Sequence, residues 1–142
     1  MVSVTQPVQR KRHILAINSS SDVLAMISSF LSEEGYRVTT HLFRDRVIPL
    51  AGDLAPDLII LDYQGASDDD GWSTLQMLRL APGTATIPIV LCTGAISHVE
   101  ETRDHLRDLG IEVLYKPFRL DSLLDLIMTT LATSVVRKSS NA

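Results

Sequence analysis

Three reactive side chains each close a short apolar run: Asp62 follows Leu58-Ile59-Ile60-Leu61, Thr93 follows the run from Ile87 to Cys92, and Lys116 follows Ile111 to Tyr115. An ionised carboxylate can attack a phosphoryl donor and become a mixed anhydride. A lysine ammonium beside it would offset the added charge, and a threonine hydroxyl would donate to a phosphoryl oxygen. Charge-assisted bonds of this kind can bias a two-state element by about 1 to 3 kcal/mol. Taken singly, each residue has a plainer reading, Asp62 as a turn cap and Lys116 as its static ion-pair partner. The three count as a group only if the fold gathers their strand ends.

The elements that would position them alternate between strand and helix periods. His13-Ile14-Leu15-Ala16-Ile17 reads as a buried strand ending in the polar turn Asn18-Ser19-Ser20-Ser21. Val23, Leu24, Met26, Ile27, Phe30 and Leu31 then share one helical face, with Ser20 or Ser21 as cap and Gly35 as stop. Tyr36, Val38, Thr40 and Leu42 alternate as a second strand, and Arg44 to Gly52 offers only a short or irregular helix because Pro49 removes a donor. Asp57 to Leu61 is the third strand, Gln64 to Asp70 a polar loop, and Gly71 to Leu80 a helix ended by Ala81-Pro82-Gly83. Ile87 to Leu91 is the fourth strand. Ser97-His98-Val99-Glu100 can open a helix running to Leu109, as a capping box, with Gly110 as its stop. Ile111 to Tyr115 is the fifth strand, and Leu120, Leu123, Leu124, Ile127, Met128 and Leu131 mark the last helix. This (βα)₅ order predicts an α/β fold, a doubly wound parallel sheet with right-handed crossovers and helices on both faces. Ligands of such sheets bind beyond the carboxyl ends of the strands. There the chain places Asn18-Ser19, Asp62-Tyr63, Cys92-Thr93-Gly94 and Lys116-Pro117.

Composition sets the frame. With 142 residues, 45% of them apolar, the chain can bury one core, and the expected division is a leader over 1–12, one domain over 13–133 and a frayed tail over 134–142. No apolar run approaches the roughly 18 residues of a membrane span, and Met1 to Arg12 lacks a signal-peptide core. The single cysteine, Cys92, cannot close an intramolecular disulfide, which favours a cytoplasmic protein. A net charge of −4 argues against a nucleic-acid surface despite Arg10-Lys11-Arg12. His13, His41, His98 and His105 form no metal-like cluster in sequence and are expected at the surface or at strand ends.

From His13 to Leu131 the chain resembles the receiver domain of two-component response regulators. Pro56-Asp57-Leu58-Ile59-Ile60-Leu61-Asp62 is similar to the strand leading to the family's phospho-accepting aspartate. Pro88 to Ala95 resembles the strand that ends in its switch threonine, and Leu114-Tyr115-Lys116-Pro117-Phe118 resembles its Lys-Pro-Phe signature. The resemblance implies a flavodoxin-like sheet of strand order 2-1-3-4-5. It implies Asp62 as phosphoacceptor, Thr93 and Lys116 as phosphoryl contacts, and Pro117 as a cis-proline candidate. Its implied partners are a histidine kinase or histidine phosphotransfer protein and a downstream protein, with a homodimer left open. It implies a signalling domain that accepts a phosphoryl group rather than an enzyme.

Departures from the family pattern fall on its metal. Receivers bind Mg²⁺ with two adjacent acids after the first strand, the acceptor aspartate and a main-chain carbonyl two residues beyond it. Here the acids are replaced by Asn18 and Ser19, so the remaining set is Asp62, the Gln64 carbonyl and the Asn18 amide oxygen, and Mg²⁺ affinity should fall steeply. Asp68, Asp69 and Asp70 are expected to cap the third helix rather than to replace the lost charge. Gly71 lies nine residues after Asp62 instead of eight, and Val113 stands where the family has its switch aromatic. A phosphorylation-independent interaction module of the same fold is the competing reading. A phosphatase of the haloacid dehalogenase type would need a second aspartate where Gln64 stands. A flavin site would need more than the faint phosphate loop Asn18-Ser19-Ser20-Ser21.

Overall fold

Five parallel strands pair in the order β2-β1-β3-β4-β5 in the computed structural model, which describes residues 10–42, 45–64 and 69–140, with 69–70 and 135–140 described by backbone alone. They are β1 (His13–Asn18), β2 (Arg37–Leu42), β3 (Leu58–Tyr63), β4 (Ile89–Thr93) and β5 (Ile111–Tyr115). Crossing between them are α1 (Ser21–Glu33), α2 (Val47–Leu54), α3 (Asp69–Leu80), α4 (Ile96–Glu100), α5 (Arg103–Asp108) and α6 (Leu120–Ser140). The central strands β1, β3 and β4 are buried on both faces, the reason their sequences are continuously apolar rather than alternating. Ile14, Ala16, Ile60 and Val90 pack with Leu24, Ile27, Leu31, Leu123 and Ile127 of α1 and α6, while Leu15, Ile59, Leu61 and Leu91 face Ala51, Leu75, Leu78, Val99 and Leu106 on the opposite side.

Local chemistry explains the boundaries. Ser20 caps α1 by accepting from the Val23 N–H, and Gly35 and Gly110 take left-handed turns, at φ 95° and 77°, after α1 and α5. Pro49 is the third residue of α2, where its missing N–H would have had no helical partner, so the helix forms but stays short. It is flanked by left-handed Arg46 and Ala55, at φ 58° and 45°, which end it at both sides. Of the loop expected from Gln64 to Asp70, residues 65–68 lie outside the described residues, as do Phe43 and Arg44, while α3 already begins at Asp69.

Three expectations need correction. First, β3 and β4 reach two residues farther than the strands expected to end at Leu61 and Leu91, so Asp62 and Thr93 lie within the ladder, with Asp62 opposite Cys92 and Tyr63 opposite Thr93. Second, the helix expected from Ser97 to Leu109 is two helices broken at Glu101 and Thr102. The capping box does not form, because α4 begins at Ile96 with no side-chain cap, and the Glu100 carboxylate instead accepts from the Tyr115 hydroxyl. Third, α6 continues to Ser140 where a frayed tail was expected, since no Gly or Pro stops it after Leu131. His13 lies at a strand end, one of the two places expected for it, and is buried and tied there, its Nε2 2.7 Å from Thr39 Oγ1 and its backbone N–H donating to Asp57. Arg12 is likewise not a free leader residue: its carbonyl accepts from the Arg37 N–H and its guanidinium lies 3.6 Å from Asp57.

Candidate functional site

Asp62, Thr93 and Lys116 come to the carboxyl edge of the sheet because β3, β4 and β5 are parallel neighbours in register. The Asp62 side chain is 5% exposed, and its two oxygens are both engaged: Oδ1 by the Lys116 ammonium, Oδ2 by the Gln64 side-chain amide. Lys116 is held in turn by its own N–H, which donates to the Thr93 carbonyl at 2.8 Å, and the following Lys116–Pro117 peptide is cis. Thr93 is fully buried. Its Oγ1 accepts from the Ala95 N–H at 3.0 Å, so the hydroxyl hydrogen remains available to an incoming oxygen while the turn into α4 stays tied. Beneath Asp62, burial above all, and then the Asp62 carboxylate, push the Cys92 thiol up to about 12. Cys92 is therefore a small apolar filler, consistent with its place in the core beside Ala16 and Ile60.

The far edge of the site is neutral. Asn18 Oδ1 accepts from the Ser20 N–H at 2.8 Å, an Asx turn that leads into the Ser20 cap of α1, and Ser19 is exposed. Mg²⁺ asks for near-octahedral oxygen ligands, usually with one or two free carboxylates. The Asp62 oxygens are both taken, the Asn18 oxygen is committed to backbone, and among the described residues no group of three or more His, Cys, Asp or Glu side chains converges. This donor set does not fit a tightly held Mg²⁺.

Two side-chain groups that sequence patterns did not disclose flank the site. Tyr63, next to Asp62, places its ring 5.5 Å from Trp72 of α3 and 5.9 Å from His98 of α4. Tyr115, next to Lys116, bonds Glu100, and Arg103 lies over its ring at 5.5 Å while approaching Glu100 at 3.8 Å. Burial and the Glu100 carboxylate raise the Tyr115 phenol above its ordinary value. Both groups tie α4 to residues adjacent to the acceptor and the lysine. Only the position of Tyr63 directly after Asp62 and of Tyr115 directly before Lys116 could have signalled them. Val113, at the family's aromatic position, is buried in the core cluster that also holds Tyr63.

A parallel five-stranded sheet of this order, with an aspartate, a threonine and a lysine at the tips of its third, fourth and fifth strands, defines a receiver-type domain. The family model of the response regulator receiver domain matches residues 14–128, and the chain belongs to that family. It is 30% identical over 111 residues to the DNA-binding dual master transcriptional regulator RpaA of Synechocystis, covering 78% of this chain and 45% of that protein. The chain thus spans just under half the length of this curated relative. Among solved structures, a response regulator from Desulfuromonas acetoxidans is 25% identical with a TM-score of 0.69, covering 86% of this chain and 98% of that one. The chemotaxis response regulator CheY4 of Vibrio cholerae matches in fold at 23% identity and a TM-score of 0.71, over 85% of this chain and 99% of that one. NtrX from Brucella abortus matches at 24% identity and a TM-score of 0.74, over 93% of this chain but 29% of its own. The chain is therefore a receiver domain of two-component signalling. Among the described residues no helix is long and apolar enough to cross a membrane.

Proposed function

We propose that Asp62 accepts a phosphoryl group from a phosphohistidine donor, a histidine kinase or phosphotransfer protein, and that Thr93 and Lys116 convert the added charge into a movement of α4. The carrying observation is the buried Asp62 carboxylate paired with Lys116 beside a Thr93 hydroxyl that still has its hydrogen to give. An Asp62 oxygen attacks phosphorus, the P–N bond to the donor imidazole breaks, and the imidazole leaves as the neutral base after taking up a proton. Lys116 then faces a phosphoryl group in place of a carboxylate. Thr93 turning its hydroxyl toward that group draws Gly94 and Ala95 with it, and α4 follows through its first turn. The test is intact-mass analysis after incubation with phosphoramidate or acetyl phosphate, with and without Mg²⁺. A gain of one phosphoryl group in the wild type and none in Asp62→Asn is the expected result. No gain under any condition would discard the reading.

A second reading has its own support. Neutral Asn18 and Ser19, together with both Asp62 oxygens already engaged, favour a receiver fold that binds its partner without phosphate. Under this reading Asp62→Asn leaves partner binding unchanged, whereas under the first it abolishes the dependence on donor.

A further inference from the structure

Behind Asp62 the rim opens into a cleft of about 550 Å³ between α1 and the connection from Lys116 to Leu120. Its volume originates in two short side chains. Ala16 of β1 and Cys92 of β4 form the floor, where the preceding positions on the same face of those strands carry Ile14 and Val90. Val23, Met26 and Phe118 stand at the walls, so the interior is apolar, and one polar end meets the strand tips at Asn18, Ser19, Asp62 and Lys116. We propose that this cleft binds a small uncharged amphiphile, an alkyl or similarly apolar body carrying a carbonyl or amide head. Its size falls within the range of roughly 300 to 1,000 Å³ typical of small-molecule sites.

Charge selects the head. Lys116 and Gln64 already satisfy Asp62, and Asn18 and Ser19 carry no charge. A cationic head would have to displace Lys116, and an anionic head would meet the buried Asp62 carboxylate. Hydrogen bonding points the same way. Asn18 and Ser19 both line the cleft, and with the Asn18 oxygen taken by the Ser20 N–H, the amide nitrogen is what Asn18 has left to donate, beside the exposed Ser19 hydroxyl. A ligand carbonyl supplies an acceptor for these two donors. None of this depends on phosphorylation of Asp62, because the apolar lining and the neutral rim belong to the unmodified chain.

Octanamide titrated into ¹⁵N-labelled protein tests the proposal, with octanoate and octylammonium as its charged counterparts. Saturable shifts at the Ala16, Ile27 and Cys92 amides are expected, with the charged counterparts weaker by about tenfold or more. Val23→Trp, filling the cleft from a half-buried site, should abolish saturation. Leu80→Ala on the opposite face of the sheet should leave it intact. Where Val23→Trp loses spectral dispersion, Met26→Trp at an exposed wall position makes the same test. Equal shifts for all three head groups, saturation that persists in the tryptophan variant, or no shift up to the solubility limit would each overturn the proposal.

Discussion

Replacing Asn18 and Ser19 together by aspartate returns two carboxylates to the tips beside Asp62, and a response of stability to Mg²⁺ should then emerge. The entry to α1 survives, since an aspartate at 18 can still accept from the Ser20 N–H as Asn18 does at 2.8 Å. Without metal, two carboxylates about 4 Å apart repel by roughly 4 kcal/mol gross at an effective dielectric of 20. Lys116 and the exposure of position 19 reduce this, leaving a net cost of about 1 to 2 kcal/mol. With Mg²⁺, each carboxylate at that distance gains roughly 8 kcal/mol gross. If about a fifth survives desolvation, each contributes ~1.6 kcal/mol, or roughly fifteenfold in affinity, and the pair roughly two-hundredfold. A free concentration of about 100 times Kd then adds ~2.7 kcal/mol of stability. Urea unfolding followed by the fluorescence of Trp72, the chain's single tryptophan, reads this directly. The wild-type midpoint should stay put in millimolar Mg²⁺. The double variant should start lower and rise past its metal-free value by the stated amount. A wild-type midpoint that rises as far as the variant's would show that neutral tips hold the ion and would refute the electrostatic argument.

Four further outcomes follow from the same geometry. Lys116→Met should cost about 1 to 2 kcal/mol in urea unfolding and Asp62→Asn less, because removing the ammonium strands a carboxylate that is 5% exposed, whereas Lys116, at 36%, can reach water on its own. Cys92 should react with a thiol reagent at pH 8 only at the rate of global unfolding, its thiol being buried and pushed up to about 12; fast labelling of the folded protein would contradict this. Burial, then Arg37, lower the His13 imidazole below its ordinary 6.5, so its contribution is complete above that pH and is lost as pH falls through the folded value, when the unfolded chain takes up the proton first. His13→Gln should flatten that stretch of the stability profile. Tyr115→Phe, deleting the bond to Glu100, should cost about 0.5 to 1 kcal/mol locally and speed amide exchange in α4 while leaving α1 unchanged.

The parts of this fold legible in the chain are those where burial imposes a period. β5 is read at its true bounds, Ile111–Tyr115, because its apolar run ends where Lys116 begins, and α1 is read from its stripe, a cap at Ser20 or Ser21, of which the structure uses Ser20, and its Gly35 stop. The break between α4 and α5 was not legible: Ser97 and Glu100 have capping-box spacing, and nothing local says that Glu100 will be claimed by Tyr115 fifteen residues later. The ends of β3 and β4 were misplaced for a similar reason, since a polar Asp62 or Thr93 stays in a ladder only when the neighbouring strand supplies partners.

By itself the sequence determined the alternation of five strands and their crossing helices, the three reactive residues at the strand ends, and the loss of the acidic pair at Asn18 and Ser19. Hydrophobic period and residue identity are local properties, and they persist whatever the rest of the chain does. Tertiary structure alone decided that both Asp62 oxygens are occupied, that Asn18 spends its oxygen on the Ser20 N–H, that Tyr63 and Tyr115 tie down α4, and that Ala16 and Cys92 leave a cleft behind the site. Each of these is a competition among groups distant in sequence for one partner or one volume, and its outcome exists only once the sheet has brought them together.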